Sequence, residues 1–338
     1  MKTILLIIIA AVLVNACRSN DDESLRFFLR GKTSLEAYEY KEAIRFFDES
    51  IKKDSLFAKA YINRGVTYEK IKDYEHALAD YSKAISLAGD SLPEAYYNRS
   101  NVFFELQHYE EALSDLNKTL VSYRDSANVY VSRGTVYVKM QKLSEATADF
   151  QKSTNLNPKN IDAWINLGVI AYQQKNLEQA KEYFNKAISL NGNQDFALNN
   201  LGLVLAEQGN FNEAINYIDK AIAIDIYQPY YISNKGYVLI QLNKLEEAEE
   251  MLQKSLRYDS KNGFAYRNLG ILNTKKGELT KAISNFEKAL SLDSTVTNIY
   301  SYLTDAYQQN KQNEKACQTW KIAQQKGENL FKNINYCK

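Results

Sequence analysis

The stretch that decides the fold is AWINLGVIAYQQKNLEQAKEYFNKAISLN, residues 163–191. Small and apolar residues recur in both halves at the three- and four-residue spacing of a helix face. They are Trp164, Leu167, Gly168 and Ala171 in the first half, and Ala180, Phe184, Ala187 and Ile188 in the second. The polar pair Lys175 and Asn176 separates the halves, so the stretch predicts two amphipathic helices joined by a turn.

The same pattern occurs nine times along the chain, and we number these repeats 1 to 9. A small residue returns every 34 or 35 residues, at Gly31, Gly65, Ser100, Gly134, Gly168, Gly202, Gly236, Gly270 and Thr304. Alanine follows twelve residues after each, at Ala43, Ala77, Ala112, Ala146, Ala180, Ala214, Ala248, Ala282 and Ala316. A large apolar residue comes four residues later, at Phe47, Tyr81, Leu116, Phe150, Phe184, Ile218, Leu252, Phe286 and Trp320. Because antiparallel helices approach closely only where side chains are small, this register predicts packed helical hairpins.

The period and a few residues of the central stretch carry a family resemblance. These residues are Trp164, Leu167, Gly168, Ala180 and Phe184, with Pro158 closing the preceding unit. They resemble the tetratricopeptide repeat. Over residues 24–326 the resemblance implies an all-α fold, an α-solenoid of about nine helix-turn-helix repeats in a superhelix whose concave face is lined mainly by the first helices. Polar turns without a long linker separate the repeats, so we expect one continuous solenoid and no second domain.

The N-terminal segment, residues 1–16, resembles a secretory signal. Lys2 is followed by an apolar run over residues 4–14, which is too short to span a bilayer. The pair Ala16-Cys17 resembles the lipobox of bacterial lipoproteins, and this implies that Cys17 is acylated and becomes the new N-terminus. A plain signal cleavage nearby, or a buried apolar helix, is the alternative.

We expect residues 17–23 to form the lipidated cysteine and an acidic, solvated tether. The acidic run over residues 21–23 resembles the signal that follows the lipidated cysteine in surface-exposed lipoproteins of Bacteroidetes-type bacteria. A linker with no sorting role is the alternative. The expected location is the bacterial cell envelope, lipid-anchored at the outer membrane, either periplasmic or surface-exposed.

The C-terminal segment, residues 327–338, is predicted to form a short helix that covers the open end of repeat 9. Export implies an oxidising compartment, in which Cys317 and Cys337 can form a disulfide. Together with Trp320 these cysteines resemble the endings of other repeat lipoproteins. The alternative is two unpaired buried thiols.

Composition and motifs argue against catalysis and nucleic-acid binding. Removal of Lys2 with the signal leaves a formally neutral chain, so nucleic acid is not an expected partner. The histidines, His76 and His108, lie in equivalent turn regions, and the sequence contains no H-E-x-x-H, no G-x-S-x-G, no glycine-rich phosphate loop and no zinc-type Cys/His cluster. We therefore expect no enzyme activity, no cofactor and no metal site.

A row of asparagines is the first candidate for ligand contact. It lies two residues before the small residue of repeats 2 to 8, at Asn63, Asn98, Ser132, Asn166, Asn200, Asn234 and Asn268. An amide side chain both donates and accepts, so such a row can bind the backbone of an extended peptide. Similar asparagine ladders occur in tetratricopeptide domains that grip extended peptides, although asparagine is also common at this position in the family consensus.

A column of aromatic residues is the second candidate. One turn before the asparagines, repeats 2 to 5 have the polar residues Lys59, Glu94, Asn128 and Asp162, whereas repeats 6 to 8 have Phe196, Tyr230 and Phe264. One turn after the asparagines, the late repeats have Leu203, Tyr237 and Ile271. About six hydrogen bonds of about 1 kcal/mol each barely meet the cost of association, which is on the order of 4 to 15 kcal/mol. We therefore expect the aromatic column to anchor a ligand and the asparagines to align it, unless the aromatic rings pack against neighbouring repeats.

These features predict a non-enzymatic scaffold that binds an extended protein or peptide partner and supports assembly of an envelope complex. The alternative function is a glycan-binding accessory lipoprotein of a nutrient-uptake complex, whose aromatic side chains stack on sugar rings. The sequence does not determine the oligomeric state.

Overall fold

The computed structural model describes residues 22–328 and Cys337. Within these residues the regular structure consists of eighteen α-helices and one 3-10 turn, Gly89–Ser91. None of the helices in this described part is long and apolar enough to cross a membrane. The predicted signal segment and Cys17 lie outside the described residues, as do residues 329–336 of the predicted C-terminal helix.

Contacts divide the chain between Ala163 and Trp164 into two compact units, which we call unit 1 and unit 2. The helices up to the division are α1 (22–36), α2 (Tyr40–Lys53), α3 (Ala58–Lys70), α4 (Tyr74–Ala88), α5 (Pro93–Glu105), α6 (Tyr109–Ser122), α7 (Ala127–Lys139) and α8 (Leu143–Leu156). The division falls within α9 (Ile161–Gln173). The later helices are α10 (Leu177–Leu190), α11 (Asp195–Glu207), α12 (Phe211–Ile224), α13 (Pro229–Gln241), α14 (Leu245–Tyr258), α15 (Gly263–Lys275), α16 (Leu279–Leu292), α17 (Ile299–Gln309) and α18 (Asn313–Gln325).

Each unit is built from helical hairpins that pack on their neighbours. In unit 1 the hairpins are α3 with α4, α5 with α6 and α7 with α8, and in unit 2 they are α11 with α12, α13 with α14, α15 with α16 and α17 with α18. The second helix of one hairpin contacts the first helix of the next, and consecutive first helices also touch, as α13 and α15 do. This is the predicted α-solenoid architecture. In such an array each repeat contacts only its neighbours. The contacts of a long array can therefore be grouped into more than one compact unit without a change of architecture.

The predicted register of small and large residues forms the core. Each of the nine register alanines is fully buried, and the large residue one turn later is also fully buried in repeats 1 to 8. A Cβ atom added to Gly168 would lie 2.6 Å from Cε1 of Phe184, and one added to Gly65 would lie 2.8 Å from the ring of Tyr81. Glycine at these two positions avoids a clash, because the large side chain of the second helix occupies the space beside it.

The turn inside the central hairpin ends α9 with a left-handed residue. Lys175 has a φ of 61°, and the N–H of Asn176 donates to the carbonyl of Ala171 at 2.9 Å, which is a Schellman arrangement. The side chain of Asn176 then accepts a hydrogen bond from the N–H of Gln179 and caps α10. Lys175 and Asn176 thus form the predicted turn.

The beginning of α1 differs from the predicted tether. Residues 22 and 23 are helical, whereas we expected a solvated linker up to residue 23. The carboxylate of Glu23 pairs with Nζ of Lys53 at 2.5 Å, and the hydroxyl of Ser24 donates to the carbonyl of Ser50 at 2.9 Å. These contacts with α2 give the acidic residue a partner, so the helix begins earlier than composition suggests.

The C-terminal end of unit 2 carries a disulfide. Cys317 on α18 is bonded to Cys337, with the two Cα atoms 5.3 Å apart, and both residues pack against a core cluster that includes Leu303 and Ala306. The carboxylate of Glu328 accepts a hydrogen bond from the N–H of Ser301 in the first turn of α17 at 2.8 Å. The segment after α18 is therefore joined to repeat 9 both covalently and by a helix cap.

Candidate functional site

The aromatic column, which we call the aromatic face, consists of Phe196 on α11, Tyr230 on α13 and Phe264 on α15. Phe196 and Tyr230 are each 46% exposed, which is a large exposure for aromatic rings on the helices of a folded unit. Phe264 is half-buried, and its ring centroid lies 6.0 Å from that of Tyr230 in an edge-to-face contact. The first two rings are therefore available to a partner, whereas Phe264 also supports the packing between repeats.

The apolar residues one turn after the asparagine row are Leu203, Tyr237 and Ile271, and all three are half-buried. Ile271 contributes to a cleft of about 330 Å³ in unit 2, which we call the α15–α17 cleft. Its lining residues are Ile271, Thr274, Lys275, Phe286, Tyr302 and Asp305. This cleft combines apolar walls with charged and hydroxyl groups.

Asn268 is not available to a ligand, which corrects the expectation for this residue. Its side chain is fully buried, and Nδ2 donates to both the carbonyl oxygen and Oγ of Ser233, each at 3.1 Å. Its Oδ1 accepts from the guanidinium of Arg267. Asn234 behaves similarly, because its Nδ2 donates to Oδ1 of Asn199 at 3.0 Å. These amides join consecutive repeats.

The other members of the row retain hydrogen-bonding capacity to different degrees. Nδ2 of Asn63 and of Asn200 donates to the carbonyl four residues earlier in its own helix, at 2.8 Å and 2.7 Å, and this leaves Oδ1 as an acceptor. Asn98 is half-buried and makes no hydrogen bond through its side chain within the described residues. Asn166 is half-buried on α9. The asparagine row is thus divided between structural and accessible positions.

The sequence offered a signal for this division that we did not use. Asn234 and Asn268 each contact a residue of the previous repeat, Asn199 and Ser233 respectively. Each of these two partners is polar and comes directly before the asparagine of its own repeat. Tyr97 is the corresponding residue in repeat 3, and its hydroxyl shares a hydrogen bond with Oγ of Ser132 at 3.2 Å. The inter-repeat pair is therefore 35 residues apart in sequence.

Unit 1 contains an Arg–Asp ladder that the sequence analysis missed. Arg99 makes a bidentate pair with the buried carboxylate of Asp115, at 2.7 Å from Nε and 2.8 Å from Nη2. The hydrogen bond to Asp115 is the main cause that raises the pKa of Arg99. The ladder consists of the pairs Arg64–Asp80, Arg99–Asp115 and Arg133–Asp149, each sixteen residues apart. This constant spacing was the available signal.

The described residues contain no cluster with the composition of a metal site. No group of three His, Cys, Asp or Glu side chains in this part of the chain is arranged to hold a metal ion. The exposed His76 pairs with Asp73 in the turn before α4, with Nδ1 2.9 Å from the carboxylate.

Family models identify the repeat. The tetratricopeptide repeat models match residues 58–91, 93–120, 161–194, 196–225 and 234–296, and a TPR repeat model matches residues 134–175. A search of curated protein sequences returns no significant match.

Solved structures of helical-repeat proteins align with this chain, and one of them aligns with a TM-score above 0.5. Yeast Tom70 aligns with a TM-score of 0.52 and 21% identity over 86% of this chain and 65% of the Tom70 chain. MamA from Desulfovibrio magneticus RS-1 aligns with a TM-score of 0.48 and 22% identity, over 52% of this chain and 98% of its own. YrrB, a TPR protein with an unusual peptide-binding site, aligns with a TM-score of 0.44 and 27% identity, over 53% of this chain and 92% of its own. Because the matched repeats together cover more than half of the sequence, this chain belongs to the tetratricopeptide repeat family.

Proposed function

We propose that the chain is a non-enzymatic scaffold that binds an extended protein or peptide segment at the aromatic face of unit 2. The observation that carries this proposal is the 46% exposure of both Phe196 and Tyr230 on first helices. The same position in unit 1 is occupied by polar side chains such as Lys59 and Asn128, so the exposed rings are specific to the later repeats. Exposed apolar groups that cluster on one face mark an interaction surface.

The free energies of burial and association indicate a partner that spans several repeats. Full burial of a Phe or Tyr side chain contributes about 1.5 to 3 kcal/mol, so the exposed halves of two rings contribute on the order of 2 kcal/mol. Association itself costs on the order of 4 to 15 kcal/mol. The partner must therefore also contact Leu203 and Tyr237, and form hydrogen bonds with open amides such as that of Asn200.

We also propose that the scaffold is anchored to a bacterial envelope through lipid on Cys17 and supports assembly of an envelope complex there. The support is the N-terminal sequence, in which Lys2, the apolar run over residues 4–14 and the pair Ala16-Cys17 follow each other as in a lipoprotein signal. More than one acyl chain gives stable anchoring, because a single chain binds a membrane only marginally.

The test of binding is crosslinking and capture from envelope fractions with the full chain and with a Phe196→Ala/Tyr230→Ala variant. Phe264 is left unchanged because it packs between repeats. The control is a Tyr38→Ala/Tyr123→Ala variant, which removes rings that are 78% and 43% exposed in unit 1. We expect the first variant to lose the partner and the control to retain it.

Equal recovery of the same partner by the wild type and the Phe196→Ala/Tyr230→Ala variant would contradict binding at the aromatic face. Quenching of aromatic fluorescence by oligosaccharides, without any protein partner, would instead support the glycan-binding alternative.

The test of anchoring is fractionation of cells that express a Cys17→Ser variant. We expect this variant in the soluble fraction and a Ser19→Ala control in the membrane fraction. Membrane retention of Cys17→Ser would contradict acylation at this residue.

A further inference from the structure

The guanidinium of Arg267 on α15 is a partly buried cation with no acidic partner in the part of the chain that the structure describes. Nε and Nη2 donate to Oδ1 of Asn268 at 3.1 Å and 2.9 Å, and Nη1 donates to the carbonyl of Thr297 at 3.4 Å. No carboxylate of the described residues lies within the 4.0 Å of an ion pair. This contrasts with Arg64 and Arg99, whose guanidinium groups each face a buried aspartate.

The surroundings of Arg267 are aromatic. Its Cζ lies 5.4 Å from the ring centroid of Phe264 and 5.9 Å from that of Tyr237. Burial lowers the pKa of Arg267 because it removes water from the charge, although an arginine remains protonated. The side chain therefore carries a positive charge that has lost hydration and gained only neutral acceptors among the described residues, and a ligand carboxylate would supply a counter-charge.

Arg267 adjoins the aromatic face. Phe264 contacts the guanidinium of Arg267 on one side and the ring of Tyr230 on the other, 6.0 Å away. In an extended peptide, side chains two residues apart lie on the same face, roughly 6.6 Å from each other. A peptide that packs one side chain on Tyr230 and Phe264 would therefore place the side chain two residues along at Arg267.

The α15–α17 cleft begins one helical turn beyond Arg267 and limits the charge of the ligand. Lys275 adds a second cation, and its Nζ donates to the carbonyl of Ile240 at 2.7 Å. Asp305 lies across the cleft on α17, where it would repel a doubly charged group. A singly charged carboxylate therefore suits the site better than a phosphate.

We infer that Arg267 receives a side-chain carboxylate of the bound partner, located two residues along an extended segment from an apolar residue that packs on Tyr230 and Phe264. This inference rests on the proposed function and specifies the chemistry of its partner. A charge-assisted hydrogen bond from the guanidinium to the carboxylate gives the site its selectivity.

The test measures fluorescence anisotropy of dye-labelled peptides with the full chain. The first probe contains Ala-Phe-Ala-Glu-Ala with an amidated C-terminus, and the second has Gln in place of Glu. A third probe, Ala-Phe-Ala with a free C-terminus, offers a terminal carboxylate in place of a side-chain carboxylate. We expect the Glu probe to bind at least tenfold more tightly than the Gln probe, and the third probe to bind more weakly than the Glu probe.

Variants assign the selectivity to Arg267. We expect Arg267→Gln to bind the Glu and Gln probes equally, and Arg257→Gln, which removes an exposed arginine of α14, to keep the wild-type preference. Arg267→Lys keeps the charge without the planar fork and should retain a reduced preference of a few fold. If Arg267→Gln fails to fold, as judged by circular dichroism, Arg267→Lys and the comparison of the Glu and Gln probes on the wild type still test the inference.

The inference is overturned if the wild type binds the Glu and Gln probes equally or binds neither. It is also overturned if the preference for Glu persists in a folded Arg267→Gln variant, or if the terminal carboxylate binds most tightly. These failures are separate from failure of the proposed function, which would appear as partner capture that is unchanged by Phe196→Ala/Tyr230→Ala.

Discussion

Asn234 on α13 donates a hydrogen bond from Nδ2 to Oδ1 of Asn199 on α11, across 3.0 Å in space and 35 residues in sequence. Asn268 makes the equivalent contact with Ser233. The asparagine row of this family member therefore serves two purposes. It joins repeats where the preceding helix presents a polar side chain, and it leaves amide groups open at positions such as Asn98 and Asn200.

The first prediction concerns Asn268. We expect Asn268→Ala to destabilise unit 2 by about 1 to 3 kcal/mol, because the hydrogen-bonding groups of Ser233 would lose their partner in a buried site. Urea denaturation followed by circular dichroism measures this change. Asn98→Ala, which removes an amide that makes no hydrogen bond within the described residues, is the control and should change the midpoint little. Equal shifts in the two variants would contradict a structural role specific to Asn268.

The second prediction concerns the Arg–Asp ladder. We expect Asp115→Asn to destabilise unit 1 by about 2 to 4 kcal/mol, because it leaves the charge of Arg99 unpaired in a partly buried site. Asp219→Asn is the matched control, since Asp219 pairs with Lys235 at 2.7 Å but has a side chain that is 46% exposed. An exposed pair contributes only about 0 to 1 kcal/mol. A larger effect of Asp219→Asn than of Asp115→Asn in thermal melts would refute the difference in burial as the cause.

The third prediction concerns the glycine register. A methyl group at Gly168 would lie 2.6 Å from the ring of Phe184, so overpacking should outweigh the better helix propensity of alanine. We expect Gly168→Ala to destabilise unit 2 by about 1 to 2 kcal/mol. Gly192→Ala is the control, because no heavy atom of the described residues, apart from its two chain neighbours, would lie within 4 Å of the added methyl group. The denaturation midpoints of the two variants measure this difference. An unchanged midpoint in Gly168→Ala would contradict the prediction, because it would show that Phe184 moves aside without cost.

The fourth prediction concerns the pH dependence of the His76–Asp73 pair. The hydrogen bond to Asp73 raises the pKa of His76 above its ordinary value, and the same pair lowers the pKa of Asp73. Because the folded pKa of His76 exceeds the unfolded one, its stabilisation is fully present below pH about 6.5 and is lost as the pH rises through the folded pKa. An NMR titration of His76 should show a lower pKa in Asp73→Asn and no change in an Asp125→Asn control. An unchanged pKa in Asp73→Asn would exclude Asp73 as the cause.

The hairpins could be predicted from the sequence because their contacts are local. Gly168 meets Phe184 only sixteen residues later, and this spacing is repeated in every hairpin, so periodicity alone exposes it. The turn at Lys175 was also predicted from the sequence. Its left-handed backbone conformation is adopted by a lysine, whereas glycine is usual at this position. The Arg–Asp ladder has the same local spacing, and it was missed because exposed-face charges and buried pairs look alike in a sequence.

The sequence by itself determined the repeat register, the all-helical solenoid and the position of the aromatic residues on the first helices, because all three follow from spacing within one hairpin. Only the tertiary structure decided which of those residues a partner can reach. It buried Asn268, left Phe196 and Tyr230 half exposed, and gave Arg267 no counter-ion among the described residues. The physical reason is that exposure and pairing depend on the side chains of the neighbouring repeat, which lie about 35 residues away, so spacing within one hairpin does not reveal them.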